Sequence, residues 1–464
     1  MHVISSTMEK AKEEASRKIF KRILYDIKPS EAEIRETTHN VNKLISLLKK
    51  TVPTEVELMV AGSIARGTNL KGNSDIDLFM LFNKKLGRDK AVKLGVEYGE
   101  TVARKEKGRY EIKYAEHPYL RLYLDSIGMK VDLVPALKID SIEEMGTTVD
   151  RTPLHNEFIN SNLNAKQRDD VRILKYLLRA HGIYGAEVKT NGFSGYLCEL
   201  LIHHYGSIIA LLESASKFKL PILIEPKERK ESISNDAVKR FNSQFIVIDP
   251  VDSNRNVAAG VSLESLGKFV LVSRKFIGKP SIDLFYGPKF SSGQAGVLVS
   301  KFAESLGLDT FIITCNIKNK SEDIIYPQLR KVNQQIVRHL SQGGFSVYLN
   351  LQFILGKKGV LFIAAPKQNV GSRVLKGPSA FIPGASQDFM KKHRGAHGFM
   401  MRESEIYALE KTAITSISES LRKLPKDLKV HKDVVISGQN IIVNKIPKEY
   451  SATLYSELQK KISI

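Results

Sequence analysis

The chain has 464 residues, 42 % apolar and 26 % charged, with a formal net charge of +21 and a pI of 9.6. That apolar content builds ordinary cores and excludes a disordered chain, and the length suits about three domains. The positive surplus favours a polyanionic partner, most simply nucleic acid, with a solvated basic surface as the plainer alternative. Cys198 and Cys315 stand alone in apolar surroundings, which excludes a disulfide framework or zinc spacing and fits a reducing compartment. The charged run Met8 to Ala15 lacks the apolar centre of a signal peptide, and no apolar run approaches the ~20 residues that span a bilayer, so a cytoplasmic, membrane-free protein is expected.

In chain order, residues 7–50 read as two helices parted by Pro29, with Ser30-Glu31-Ala32-Glu33 as a capping box for the second. Val56 to Ala61 reads as a strand entering a Gly-Ser turn, and Asp75 to Phe82 as the next strand. Arg88 to Arg104 reads as a helix, followed by strands over 110–114, 119–124 and 129–134. Thr152-Pro153 opens a helical region, with Thr152 as N-cap, that extends to about residue 218. Within it, Asn164 to His181 ends at Gly182. Phe245 to Ile248 is a short strand. Further on, 295–306 and 324–339 are helical, 310–315 is a strand, and 346–354 with 359–364 form a hairpin around Gly356-Lys357-Lys358-Gly359. A Gly/Pro/Ser-rich stretch, 377–386, leads to the basic run Lys391-Lys392-His393-Arg394. A long amphipathic helix over 403–424 and a strand over 434–445 follow. The expected class is a multidomain α/β (α+β) protein.

Asp75 and Asp77 are two apart in a strand and so point the same way, while Ile76 and Leu78 face the opposite side. Two adjacent carboxylates repel unless a cation lies between them, and a hard divalent ion such as Mg²⁺ suits them. Gly62-Ser63 offers backbone N–H groups and a hydroxyl to phosphate oxygens. Asp132 projects opposite to Val131 and Leu133 and is a third acid for a two-metal site, unless it is simply a solvent-facing strand residue. Paired metal carboxylates beside a triphosphate cradle suggest nucleotidyl transfer. Arg172, Lys175 and Arg179 form a basic helical stripe, readable as a solvated face or as a phosphate contact. His203 and His204, adjacent on a helix, diverge by about 100° and read as structural. Phe389, His397 and Phe399 around the 391–394 cations suit RNA backbone and stacked bases, or a solvated loop.

Gly-Ser, then Asp-x-Asp, then a later strand Asp resembles the polymerase-β nucleotidyltransferase superfamily. Further motifs follow in order: Ala115-Glu116-His117-Pro118-Tyr119, Val131 to Pro135, Arg151 to His155, Gly182 to Gly185, Gly192 to Leu201, and Asp249 to Ala258. Together, over nearly the whole chain, they resemble the archaeal-type (class I) CCA-adding enzymes. The resemblance implies a Mg²⁺-dependent enzyme that adds CCA to tRNA from CTP and ATP without a nucleic-acid template and releases pyrophosphate. It implies a catalytic nucleotidyltransferase head (1–150), a mostly helical neck (151–275), an α/β body (276–365 and 430–464) and a tail (366–429) that grips the acceptor and T arms. Asp75, Asp77 and Asp132 would bind the metal, with Asp75 standing where the family often has Glu. Ser63 and Arg66 would hold the triphosphate. His155, Lys175 and Tyr184 would contact the nucleotide, and Arg255 would read its base. Glu116 and His117 are assigned a supporting part. A second copy of the chain is a candidate partner. The alternatives are a poly(A) or oligoadenylate polymerase, a small-molecule nucleotidyltransferase, and a non-catalytic RNA-binding protein with a nucleotidyltransferase-like head.

Overall fold

A computed structural model describes residues 2–72, 75–114, 118–125, 128–139, 141–226, 236–286, 292–367, 371–424 and 432–462. Ser74, Glu116 and His117 lie outside these. The chain divides into two compact units, one essentially residues 1–287 and the other 288–463, which also takes in Glu187–Lys189.

The first unit begins with helices α1 (His2–Ile27) and α2 (Glu31–Lys49), the latter started by the Ser30/Glu33 capping box. Then come β1 (Glu57–Ala61), the single turn α3 (Gly62–Ala65), β2 (Ile76–Asn83), α4 (Arg88–Lys105), β3 (Arg109–Tyr114), β4 (Pro118–Leu124) and β5 (Met129–Lys138). The five strands form one sheet in the order β1-β2-β5-β4-β3, with β2 and β5 parallel and the other pairs antiparallel. Alternation decides its faces. Ile76, Leu78, Met80, Leu120, Leu122, Val131 and Leu133 pack beneath α2 and α4, each fully buried aliphatic contributing roughly 2 kcal/mol. Asp77, Arg121 and Asp132 therefore project from the opposite face. A Cβ at Gly95 or Gly99 of α4 would lie within 3.0 Å of Pro135 or of Leu120, so these glycines let the helix approach the sheet.

The rest of this unit is helical: α5 (Thr152–Asn162), α6 (Ala165–Ala180), α7 (Gly195–Tyr205), α8 (Ile208–Ser216), the strand β6 (Ile222–Ile224), α9 (Asp236–Phe241), β7 (Phe245–Val247) and α10 (Leu263–Gly278). Phe20, Ile23 and Ile27 of α1 share one core with α5 to α8 and α10. Thr152 is not the N-cap expected of it. A 3-10 turn over Thr148–Arg151, capped by Thr147 and Asp150, runs directly into α5, so Thr152 is already helical and Pro153 occupies the first turn.

The second unit has α11 (Ser292–Ser305), β8 (Leu308–Ile317), α12 (Glu322–Gln342), β9 (Leu349–Leu355), β10 (Lys358–Pro366), β11 (Ser372–Ser379), α13 (Pro383–Lys392), β12 (Gly398–Arg402), β13 (Glu405–Lys411), α14 (Ile417–Arg422), β14 (Val434–Val443) and α15 (Lys448–Ile462). A four-stranded sheet, β14-β8-β10-β9, has α12 and α14 on one face and α11 and α15 on the other. The hairpin expected around Gly356 is β9–β10. The long helix expected over 403–424 is absent. Residues 405–411 pair with both β11 and β12, because Ile406 and Ala408 are buried with a period of two. Glu403, with φ +52°, turns the chain between β12 and β13, and only the short α14 remains helical. Lys391 and Lys392 end α13 rather than lying in a loop.

Candidate active site

Strand register sets the centre of the site. Ala61 pairs with Asp77, Asp77 with Asp132, and Asp132 with Arg121, one row across β1, β2, β5 and β4. Gly62 follows at φ +71°, and a Cβ there would lie 2.0 Å from Asp77 Oδ2, so only glycine admits the carboxylate against the turn. Burial, then the charges of Asp132 and Asp75, push the Asp77 carboxyl up to about 6, against the pull of Arg66 and Arg121. Arg121 donates to Asp132 through Nε and Nη2, both at 2.7 Å. Asp75 is exposed and stands immediately before β2 rather than within it.

The turn after α3 rests on a buried charge cluster. Glu199 of α7 is fully buried and accepts from the Thr68 hydroxyl at 2.5 Å. Arg66 Nε faces Glu199 Oε2 at 3.0 Å, out of line for a hydrogen bond, and Lys175 Nζ lies 3.6 Å from Oε1. Lys175 also donates to the Thr68 hydroxyl and carbonyl at 3.0 and 3.1 Å. Burial pulls its ammonium below the usual lysine range, and Glu199 opposes that pull. Arg172 clamps the same turn, donating to the Gly67 and Asn69 carbonyls at 2.6 and 2.9 Å. Of the basic stripe, Arg172 and Lys175 are buried and bonded to the turn, while Arg179 is exposed. Ser63 is half-buried in α3. Around Gly195, the Tyr184 hydroxyl and the Lys175 ammonium come together, with a Cβ there meeting them at 3.3 and 3.6 Å. Arg179 stacks over the Tyr184 ring at 4.9 Å.

A second buried carboxylate, Asp249, gathers the remaining residues. It accepts from His155 Nε2 at 2.9 Å, Arg255 Nη1 at 2.8 Å and the Tyr196 hydroxyl at 3.0 Å. Burial pushes its carboxyl up, but the bonds from His155 and Arg255 outweigh this and hold it below the usual carboxylate range. Burial likewise lowers His155, which stacks on Tyr196 with ring centroids 4.0 Å apart.

The structure thus draws Asp77 and Asp132 into one row, Arg66 and Lys175 onto one carboxylate, and His155 and Arg255 onto another. Glu199, Asp249, Tyr196, Thr68 and Arg121 were not singled out from the sequence. Glu199 carried a signal, a lone charge in the apolar run Tyr196 to Ile202, and Arg121 carried another, standing opposite Leu120 and Leu122 in a strand. Asp249 opens one of the motifs that carry the resemblance, but its partner His155 is 94 residues away and the motif assigns it no role. His203 packs edge-on to Phe158 at 5.4 Å, a structural contact.

Carboxylate oxygens suit a hard divalent ion, and the repulsion from Asp132 and Asp75, which adds to burial in raising Asp77, is what such an ion would relieve. Asp132 is turned onto Arg121, and among the described residues no three acidic, His or Cys side chains form a ready-made ligand cluster. The donor chemistry fits a divalent ion.

Family models match three successive regions: "Nucleotidyltransferase domain" over residues 41–157, "tRNA nucleotidyltransferase, second domain" over 169–286, and "CCA-adding enzyme, C-terminal domain" over 307–436. The fold and the acidic row accordingly define a nucleotidyltransferase. A CCA-adding enzyme of Methanocaldococcus jannaschii is 36 % identical over 387 residues, 81 % of this chain and 84 % of that protein. One of Sulfurisphaera tokodaii is 38 % identical over 71 % of this chain and 73 % of its own. One of Sulfolobus acidocaldarius is 33 % identical over 86 % and 89 %. The chain belongs to the archaeal CCA-adding enzymes. Among the described residues, no single helix is long and apolar enough to cross a membrane.

Proposed function

We propose that the chain completes the 3′ end of tRNA, adding C, C and A from CTP and ATP without a nucleic-acid template. The tRNA 3′ hydroxyl attacks the α-phosphate, the bond to the β-phosphate breaks, and pyrophosphate leaves. The observation that carries this reading is the row of Asp77 and Asp132 beside the Gly62-Ser63 turn. Mg²⁺ held by Asp75, Asp77 and Asp132 would supply an acidified hydroxyl and neutralisation of the leaving pyrophosphate. Ser63 and Arg66 bind the triphosphate. Lys175, behind the turn, adds its charge to that site, and Tyr184 and His155 line the nucleotide. Arg255, with a third of its side chain exposed, faces the base.

We read residues 1–150 as head, 151–275 as neck, 276–365 with 430–464 as body, and 366–429 as tail. In the tail Lys391, Lys392 and Arg394 grip the acceptor and T arms. Two free, buried cysteines support a reducing cytoplasm as the setting. The test is incubation with tRNA lacking CCA. CTP alone should add two residues, ATP alone none, and both together three and no more. Continued extension with ATP would instead support a poly(A)-type polymerase.

A further inference from the structure

Asp249 is 1 % exposed, and every acceptor position it has is filled. Oδ1 takes the Tyr196 hydroxyl at 3.0 Å and the Val251 N–H at 3.1 Å, and Oδ2 takes His155 Nε2 and Arg255 Nη1. The surrounding loop is closed on itself. Asp249 N–H donates to the Arg255 carbonyl at 3.1 Å and Arg255 N–H to the Asp252 carbonyl at 2.9 Å, while Asp252 is anchored by Arg151 at 2.6 Å. Arg255 lies over the Tyr196 ring at 5.8 Å. Arg255 Nη1 also lies 3.5 Å from His155 Nε2, and the arginine side chain is 33 % exposed.

A guanidinium is a rigid planar fork. Pinning one terminal nitrogen on a buried carboxylate fixes its plane and leaves the opposite edge to meet paired acceptors. Cytosine presents such acceptors in N3 and its carbonyl oxygen where uracil presents N3–H, and adenine presents the acceptor N1 where guanine presents N1–H. An untethered arginine at the same place would have to lose its rotamer freedom on each binding event.

We propose that Asp249 is a positioning residue that sets nucleotide selectivity, by fixing the plane of Arg255 and the tautomer of His155 that face the incoming nucleotide. The proposal rests on the assignment of Arg255 and His155 to the nucleotide made above. With Nε2–H donated to Asp249, His155 keeps Nδ1 as an acceptor, so one carboxylate defines the hydrogen-bonding character of both side chains.

The test compares Asp249→Asn, Arg255→Ala and the double variant. The asparagine retains an acceptor for Tyr196 and Val251 but turns its amide N–H groups toward two donors. The readouts are kcat and KM for CTP and UTP on tRNA lacking CCA, and for ATP and GTP on tRNA ending in CC. Asp249→Asn should lower the ratio of kcat/KM for correct over incorrect nucleotide by about tenfold or more. Arg255→Ala should do the same, and the double variant should be no less selective than Arg255→Ala, as expected of two residues acting through one contact. A merely structural Asp249 would slow all nucleotides alike and leave the ratio intact. Parental selectivity in Asp249→Asn, with selectivity lost in Arg255→Ala, overturns the proposal alone. Parental selectivity in Arg255→Ala overturns the assignment of Arg255 and the proposal with it. If Asp249→Asn does not fold, Asp249→Ser removes the charge without the donor conflict and is read by the same ratios.

Discussion

The two units differ in where they bury charge. The first has exposed pairs, such as Lys138–Glu57, but also buried ones: Arg66–Glu199, Arg151–Asp252 and Lys175–Glu199 each have partners 10 % exposed or less. In the second, pairs such as Lys376–Glu405 and Lys423–Glu419 leave both partners a third or more open to water or close to it. Buried charge is costly to desolvate and stabilises little for its own sake, whereas it holds side chains at fixed positions. Exposed charge is cheap, mobile and screened, which suits attraction of a polyanion over a broad surface. The pairs with both partners buried lie in the unit with the acidic row.

The largest effect that could break this contrast is at Asp77. Asp77→Ala should lower the rate of nucleotide addition by a factor of about 10³ or more, some 4 kcal/mol of transition-state stabilisation, without moving the Kd for tRNA. Turnover near the parental rate in a folded variant would remove the acidic row from the chemistry.

Glu199→Ala comes next. It leaves Arg66 and Lys175 without their buried counter-charge and should cost about 3–5 kcal/mol in chemical denaturation. Glu405→Ala, from an exposed pair, should leave the unfolding midpoint unchanged. Equal losses in the two would erase the distinction between the units.

Replacing Lys391, Lys392 and Arg394 together by Ala should weaken full-length tRNA and an acceptor–T-arm minihelix alike. The slope of log K against log[salt] should flatten by on the order of 0.7–0.9 for each phosphate that is no longer neutralised. A short acceptor-end RNA should bind as before. Unchanged slopes for all three RNAs would mark the run as solvated surface.

The smallest expected effect is pH dependence. His181 Nε2–H donates to the Leu284 carbonyl at 3.0 Å, and burial pulls the ring below its ordinary 6.5. The unfolded chain therefore takes up a proton near 6.5 that the folded unit refuses, so stability falls as pH drops below that value toward the folded pKa. His155 adds to this with the same sign. Asp77 and Asp170, both raised to about 6, act with the opposite sign over the same window, so the histidine is read as a difference: from about pH 7.5 to 5.5 the parent should lose more stability in chemical denaturation, or gain less, than His181→Gln.

Local rules carried much of the architecture. The cap at Ser30, alternation through Asp77, and Gly356 between two apolar runs are decided by neighbours within a few residues, and the structure has each of them. The expected helix over 403–424 failed because amphipathic spacing there also satisfies a strand, and pairing with β11 and β12 decided between them. The acids stand out because paired carboxylates are unusual in a strand-like run, whereas Arg66 is reached only through the family resemblance. The buried counter-charges were not legible, since Glu199 meets Thr68 across 131 positions and Asp249 meets His155 across 94. Distance along the chain hides such partners, however short the contact.

The 2.0 Å approach at Gly62 also limits how the chain can change. Every substitution there adds at least a Cβ, so no graded series of side chains leads away from glycine, and the smallest step is already a collision with Asp77. Relief would require turning that carboxylate away, shortening it or removing it, each of which takes the acid from the place the turn holds it, and the φ of +71° would strain any side chain at position 62 regardless. Positions 62 and 77 therefore behave as one heritable unit, and a library that randomises either alone should return only the parental residue at position 62 among active clones.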